Sequence, residues 1–157
     1  MITIVRVSNR KFSNAAWFFE SLDRELGGDY EEVKVVLVDF WAQVLPDRKW
    51  GALDVMERKA QYQKGAKCEF LHVPPKPCVW QGPHRLTQVD YAAFSAVRNT
   101  GLCYAEDGHV VFVDDLSVLM PGWWYEVKAA VEGGWVGLGS YAKATEMWVE
   151  DGLLKGL

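Results

Sequence analysis

The chain lacks any surplus of positive charge: 17 Lys and Arg stand against 21 Asp and Glu, a formal net charge of -4. No basic stripe is available to neutralise a phosphate backbone, which argues against nucleic acid as a partner. A small phosphorylated ligand stays compatible, because an acidic protein can hold one through a divalent cation and backbone N–H groups. Cysteine is scarce. Cys68, Cys78 and Cys103 are odd in number, and their spacings match no zinc or redox motif. They read as reduced thiols in small apolar positions of a cytoplasmic protein. His72, His84 and His109 are too scattered for a histidine metal site. No apolar run approaches the ~18 residues of a membrane span, and Met1 to Arg10 is a short alternating segment rather than a signal peptide.

The common nucleotide signatures are missing too. There is no G-x-G-x-x-G after the first strand, no G-x-x-x-x-G-K-[ST] anywhere, and no glycine in the loop Ser8-Asn9-Arg10-Lys11. These absences disfavour a dinucleotide-binding dehydrogenase and a P-loop NTPase, and they count against a nucleotidyltransferase. Gly137-Leu138-Gly139-Ser140-Tyr141 lacks the strand–turn–helix setting of a nucleophile elbow, so a Ser-His-Asp hydrolase has no support.

What is present is an ordinary globular composition. Half of the 157 residues are hydrophobic and 24% are charged, enough for one domain over residues 1–157 with its own core. Ile2 to Val7 is rich in β-branched residues and reads as a strand. Ser13-Asn14 offers an N-cap for a helix carrying Ala16, Phe19, Leu22 and Leu26 and closed by Gly27-Gly28. Val33 to Val38 is nearly all apolar, as in a strand covered on both faces, and ends at Asp39. Strand, helix and buried strand make a βαβ unit, so a parallel sheet is expected.

Asp54 to Lys64 reads as a short helix and Cys68 to Val73 as a third strand. The proline-rich stretch Pro74 to Leu86 is a loop long enough to be functional; with His84 and Arg85 it could close over a ligand, or be plain surface. Thr87 to Glu106 has a helical pattern, with Val89, Ala92, Ala93, Ala96 and Val97 on its apolar face. His109 to Val113 is a fourth strand, ending in Asp114-Asp115. Pro121 fits the first turn of a helix through Trp124, Val127 and Val131, ended by Gly133-Gly134. Lys143–Val149 and Leu153–Lys155 read as a C-terminal antiparallel hairpin over residues 143–157. The fold class expected is therefore α/β, a mostly parallel sheet flanked by helices with an antiparallel hairpin appended.

Ligands of open α/β sheets bind beyond the carboxyl ends of the strands. Ser8-Asn9-Arg10, Asp39 and Asp114-Asp115 fall there. Adjacent carboxylates at one strand end repel unless a cation sits beside them. Mg²⁺ and Mn²⁺ take oxygen ligands and use one or two carboxylates plus substrate phosphates. The plain alternative is that either aspartate ends the strand and caps the next turn.

Three segments carry a resemblance. Ala96-Val97-Arg98-Asn99-Thr100-Gly101-Leu102, then Val110-Val111-Phe112-Val113-Asp114-Asp115, then Pro121-Gly122-Trp123-Trp124, resemble the family-two glycosyltransferases of GT-A fold, where an A-R-N-x-G helix precedes a strand ending in a DXD-type acidic motif. Thr3 to Arg10 and Val35 to Asp39 are similar to that family as well. The resemblance implies a GT-A, Rossmann-like sheet and metal-assisted, inverting transfer of a sugar from a nucleotide-diphosphate donor to an acceptor such as a glycan, lipid or protein. It implies that Asp39 accepts a hydrogen bond from the nucleobase and that Ser8 and Asn9 line the base pocket through backbone contacts. Arg98 would sit near the nucleotide, and Asn99 would help fix the helix-to-strand turn. Asp114 would face the ribose or the metal, and Asp115 would coordinate Mn²⁺ or Mg²⁺.

Two positions depart from the pattern. Leu116 replaces the third acidic residue of the usual triplet, and the downstream acidic motif that supplies the family's catalytic base is not found. Glu146, Glu150 and Asp151 are the only late carboxylates, and Glu150-Asp151-Gly152 reads better as a hairpin turn. A non-catalytic nucleotide-sugar or carbohydrate-binding domain is therefore the alternative expectation. Of the eight tryptophans, Trp123 and Trp124 follow the acidic pair closely, one expected to pack inward and one to face a sugar.

Overall fold

A computed structural model describes residues 1–8, 15–42, 60, 66–76, 94–105, 107–134, 136–137, 139, 148–150 and 153–155. Apart from Ala60, which is helical, the expected helix at Asp54–Lys64 lies outside these residues, as do the Ser13-Asn14 cap and most of the Pro74–Leu86 loop. The chain divides into two compact units, Met1–Leu119 and Met120–Leu157.

The first unit is a four-stranded sheet, all parallel, in the order β3-β2-β1-β4. Its strands are β1 (Ile2–Ser8), β2 (Val33–Asp39), β3 (Glu69–Val73) and β4 (His109–Val113), with α1 (Ala15–Leu26) between β1 and β2 and α2 (Phe94–Tyr104) between β3 and β4. The α/β class and parallel sheet expected from the sequence are therefore present. The order is that of the first four strands of a doubly wound fold.

Every residue of β1 and β2 is buried. The near-continuous apolar run of β2 predicts this; the alternation in β1 does not. Thr3, Arg6 and Ser8 are polar yet lie inside, because helices cover both faces of a central parallel strand. On one face Val5, Val7, Val36 and Val38 pack with Val97 of α2, and Leu71, Val73 and Val110 close around them. On the other face the Arg6 guanidinium lies 4.9 Å from the centre of the Phe18 ring of α1. Such a cation–π contact contributes about 2 kcal/mol when desolvated, which helps offset the cost of burying the charge.

The inward face of α1 holds three of the four expected residues, Phe19, Leu22 and Leu26, but not Ala16. Ala15, Phe18, Phe19, Ser21, Leu22 and Leu26 are buried, whereas Ala16 is exposed. The aromatic pair Phe18–Phe19 sets the face, since it offers far more apolar area than an alanine. The helix ends where Gly27 takes a left-handed φ of 57° and donates to the Asp23 carbonyl at 3.1 Å.

Helix α2 runs over Phe94–Tyr104; residues 87–93 and 106 of the expected Thr87–Glu106 pattern lie outside the described residues. It lies unusually close to the sheet at Gly101, where an added Cβ would come within 2.2 Å of Val5 Cγ1. Thr100 fastens the same turn: its hydroxyl donates to the Ala96 carbonyl at 2.7 Å and accepts the Lys76 N–H at 2.8 Å.

The second unit contains α3 (Trp123–Gly133), capped by Gly134 in a left-handed conformation. Pro121 precedes this helix instead of occupying its first turn; Gly122, with a φ of 89°, is the N-cap. Trp124 is buried and stacks on half-buried Trp123 at 6.0 Å. Strands β5 (Trp148–Glu150) and β6 (Leu153–Lys155) pair antiparallel; the residues joining them, 151–152, and residues 143–147 lie outside the described set.

Candidate functional site

The strand order fixes where a ligand crevice belongs. The chain leaves β1 towards β2 and β3, then returns to the opposite side of β1 as β4. The order reverses between β1 and β4, and doubly wound sheets open a crevice at that switch point, beyond the carboxyl ends of the strands. Val113 ends β4 beside Arg6 of β1, so the residues that follow, Asp114 and Asp115, lie at this edge.

Asp114 is exposed, and its Oδ1 accepts from Arg98 Nη2 of α2 at 3.1 Å. Two of the residues tied together by the resemblance thus meet in space. The pair is solvent-facing, so its contribution to stability is within about 1 kcal/mol. Asp115 is half-buried, and its Oδ1 accepts the Leu116 N–H at 2.9 Å. The Ser117 N–H reaches back to the Asp114 carbonyl at 3.3 Å, closing a turn in which Leu116 has a φ of 62°. A branched side chain in this left-handed region costs about 1 kcal/mol or more.

The far end of this segment is pinned to α1. Ser21 Oγ accepts the Leu119 N–H at 3.0 Å while donating to the Phe18 carbonyl at 2.9 Å. Arg24 donates to the Leu119 carbonyl at 2.9 Å. The acidic turn is therefore held between β4, an edge strand of which only Val113 is buried, and the buried Ser21.

Asp39 lies at the carboxyl end of β2 and is wholly buried. Its Oδ1 accepts the Trp41 N–H at 2.9 Å, an Asx-turn at the strand exit. Its Oδ2 lies 2.9 Å from Nε2 of His72, a ring that is itself 4% exposed. Which of the two donates follows the tautomer of the imidazole and the protonation of the carboxyl. Ser8 is buried at the neighbouring position, and its carbonyl accepts the Phe40 N–H at 3.0 Å.

Asn99 does not reach the turn into β4. It is exposed in the interior of α2, and the helix is closed instead by the Ala105 N–H, shared between the Gly101 and Leu102 carbonyls at 3.1 and 3.2 Å. Asn9, Glu146 and Asp151 lie outside the described residues, and Glu150 ends β5 opposite Leu153. His84 and Arg85 also lie outside them. Cys68 is half-buried, with its thiol pKa pushed up by burial, and Cys103 is exposed; both are free.

Sequence reasoning missed His72 and Arg6. The alternation in Glu69-Phe70-Leu71-His72-Val73 places His72 on the face of Phe70, yet nothing in one strand reveals the register that brings it to Asp39.

Among the described residues no three His, Cys, Asp or Glu side chains gather as an all-protein metal cage. The donors at Asp114 and Asp115 suit a different arrangement: two oxygen ligands that leave a hard divalent ion to complete its shell with water and phosphate. Among the described residues no helix is long and apolar enough to cross a membrane. Comparisons with protein-family models, curated proteins and solved structures each returned no match.

Proposed function

We propose that this chain is a metal-assisted glycosyltransferase of GT-A type, moving a sugar from a nucleotide-diphosphate donor to an acceptor hydroxyl with inversion. The observation that carries the reading is the acidic turn Asp114-Asp115 at the switch point of the sheet, with Arg98 on Asp114. The finer fold assignment, a GT-A sheet with a C-terminal hairpin, belongs to the same proposal; the strand order and the β5–β6 pairing support it.

In this reading Asp115, with Asp114 beside it, would hold Mn²⁺ or Mg²⁺, and the ion would supply charge neutralisation for the departing diphosphate. Arg98 orients Asp114 and adds positive charge near the phosphates. The resemblance gives Asp39 and the Ser8 backbone to the nucleobase; both are buried here and Asp39 is bonded through both oxygens, so that contact requires the strand exits to open. The acceptor oxygen forms its bond to the anomeric carbon as the bond from that carbon to the diphosphate oxygen breaks. The acceptor proton passes to a carboxylate base that this reading does not assign. The donor, a glycan, lipid or protein acceptor, and a cytoplasmic setting are parts of the proposal.

Thermal unfolding with UDP, GDP, CDP and dTDP, each with and without Mn²⁺, tests it. A nucleotide at ~100 times its dissociation constant stabilises by about 2.7 kcal/mol. One nucleotide should raise the transition only with metal, and Asp115→Ala should lose the effect. No shift with any of the four refutes the donor site. A metal-dependent shift without sugar transfer or donor hydrolysis favours the non-catalytic binding domain instead.

A further inference from the structure

The two edges of the parallel sheet are not alike. β3 opens on Glu69, whose half-exposed side chain pairs with Lys34 at 3.2 Å; a charge so placed deters a further strand. β4 is the other edge, with β1 as its only strand neighbour among the described residues. His109-Val110-Val111-Phe112-Val113 holds no Lys, Arg, Asp, Glu or Pro, and its register with β1 runs without a bulge. Phe112 stands 43% exposed. An open apolar edge of this kind is a template for another strand.

The hydrogen-bonding groups of that edge can be located. The His109 N–H donates to the Met1 carbonyl at 3.3 Å, on the β1 side. Backbone groups alternate from side to side along a strand, so those of Val110 and Phe112 turn outward. Side chains alternate between the faces as well. Val110 packs against the cluster that contains Val97 of α2, so Phe112 lies on the α2 face, while His109, Val111 and Val113 lie on the other. Leu102, one turn beyond Arg98 on the same side of α2, is exposed too.

We propose that β4 pairs antiparallel with β4 of a second copy of this chain, about a twofold axis at Phe112. The strand selects a second copy because it is complementary to itself. A twofold axis perpendicular to the sheet keeps each face on its own side, so only residues of the same face can stand opposite each other. With Phe112 on the axis the two phenyl rings meet, and Val111 meets the partner's Val113. His109 then comes opposite the partner's Asp115, a match of imidazole donor and carboxylate acceptor. Centring on Val111 would instead set Asp107 against the partner's Asp115, and like charges directly opposite destabilise. Centring on Val110 would set Phe112 against the partner's Gly108 and leave the ring without a cross-strand partner. The two four-stranded sheets join into one, a size that open sheets reach. Strands this short bury a small interface, so the pairing is a reversible equilibrium.

Sedimentation velocity over a concentration series tests it, on the wild-type chain and Phe112→Lys, with circular dichroism to verify folding. The wild type should move from one chain mass towards two as concentration rises. Phe112→Lys, which opposes two ammonium groups across the axis, should stay at one. Phe112→Cys should form an intermolecular disulfide on mild oxidation, because the Cα atoms of such a pair lie about 5.5 Å apart. Val111→Cys, displaced from the axis, should cross-link no more than the wild type does through its own thiols. If Phe112→Lys does not fold, the two cysteine variants decide. A wild type at one chain mass throughout overturns the proposal, and protection of the Val110 and Phe112 amides from exchange in that monomer gives the edge to a segment of the same chain. Association unchanged in Phe112→Lys, or equal cross-linking at Val111→Cys, overturns the pairing at Phe112.

Discussion

Gly101→Ala sets two general effects against each other at one atom. In an exposed helix the substitution would stabilise by about 1 kcal/mol, since glycine is the poorer helix former. Here the new Cβ would sit 2.2 Å from Val5 Cγ1 and 2.9 Å from Cγ2. Carbon atoms pack best at about 3.5–4.0 Å, so strand and helix would have to part by roughly 1.3 Å. Val5 cannot yield cheaply, because it is wholly buried among Val7, Val36, Val38 and Val97. Overpacking of this kind costs about 1–3 kcal/mol. Sterics should win, leaving a net destabilisation of up to about 2 kcal/mol, or a Tm lower by up to ~8 °C. Urea unfolding followed by tryptophan fluorescence measures it. Val5→Ala in the same chain removes the obstructing methyls, so the double variant should be more stable than the sum of the singles by at least about 1 kcal/mol. A Gly101→Ala chain more stable than wild type, or additive singles, would refute the close helix–sheet approach.

Leu116→Asn should stabilise by about 0.5–1 kcal/mol, since asparagine tolerates the left-handed backbone at φ 62°, and Leu116→Ile should destabilise; urea midpoints that rank them the other way would remove the strain argument. Asp23 accepts hydrogen bonds from Lys67, at 2.5 Å, and from the Tyr30 hydroxyl, which hold its carboxyl below the ordinary 3.8. Because that value is depressed in the folded state, the cluster's stabilisation is full above pH ~3.8 and is lost as pH falls through the folded value. Tyr30 and Lys67 are both raised by their bonds to Asp23, above 10.0 and 10.5, so the high-pH loss begins only as pH climbs past those values. Stability difference curves between wild type and Asp23→Asn should therefore be flat across neutral pH and converge at acid pH; a gap unchanged down to pH 2 would contradict this assignment.

Local physics made much of the fold legible. The near-continuous apolar run of β2, broken only by Lys34, is satisfied by a strand covered on both faces, and the βαβ spacing demanded parallel neighbours. The carboxyl ends of those strands located Asp39, Asp114 and Asp115 at one edge without any coordinates. What stayed hidden was everything set by register and by helix rotation. The helical spacing located Phe19, Leu22 and Leu26 on the inward face of α1, but not Phe18, whose ring meets Arg6 only across the packed sheet. Asn99 belonged to a motif, but the geometry of α2 leaves it pointing to solvent while Arg98, one residue earlier, reaches Asp114. His72 looked isolated because its partner lies 33 residues earlier in the chain, and only the pairing of β3 with β2 brings them together. Sequence determines which residues can be buried and which elements they build; the packing of those elements decides which side chains meet, because a one-residue shift in register or a rotation of a helix exchanges one set of neighbours for another.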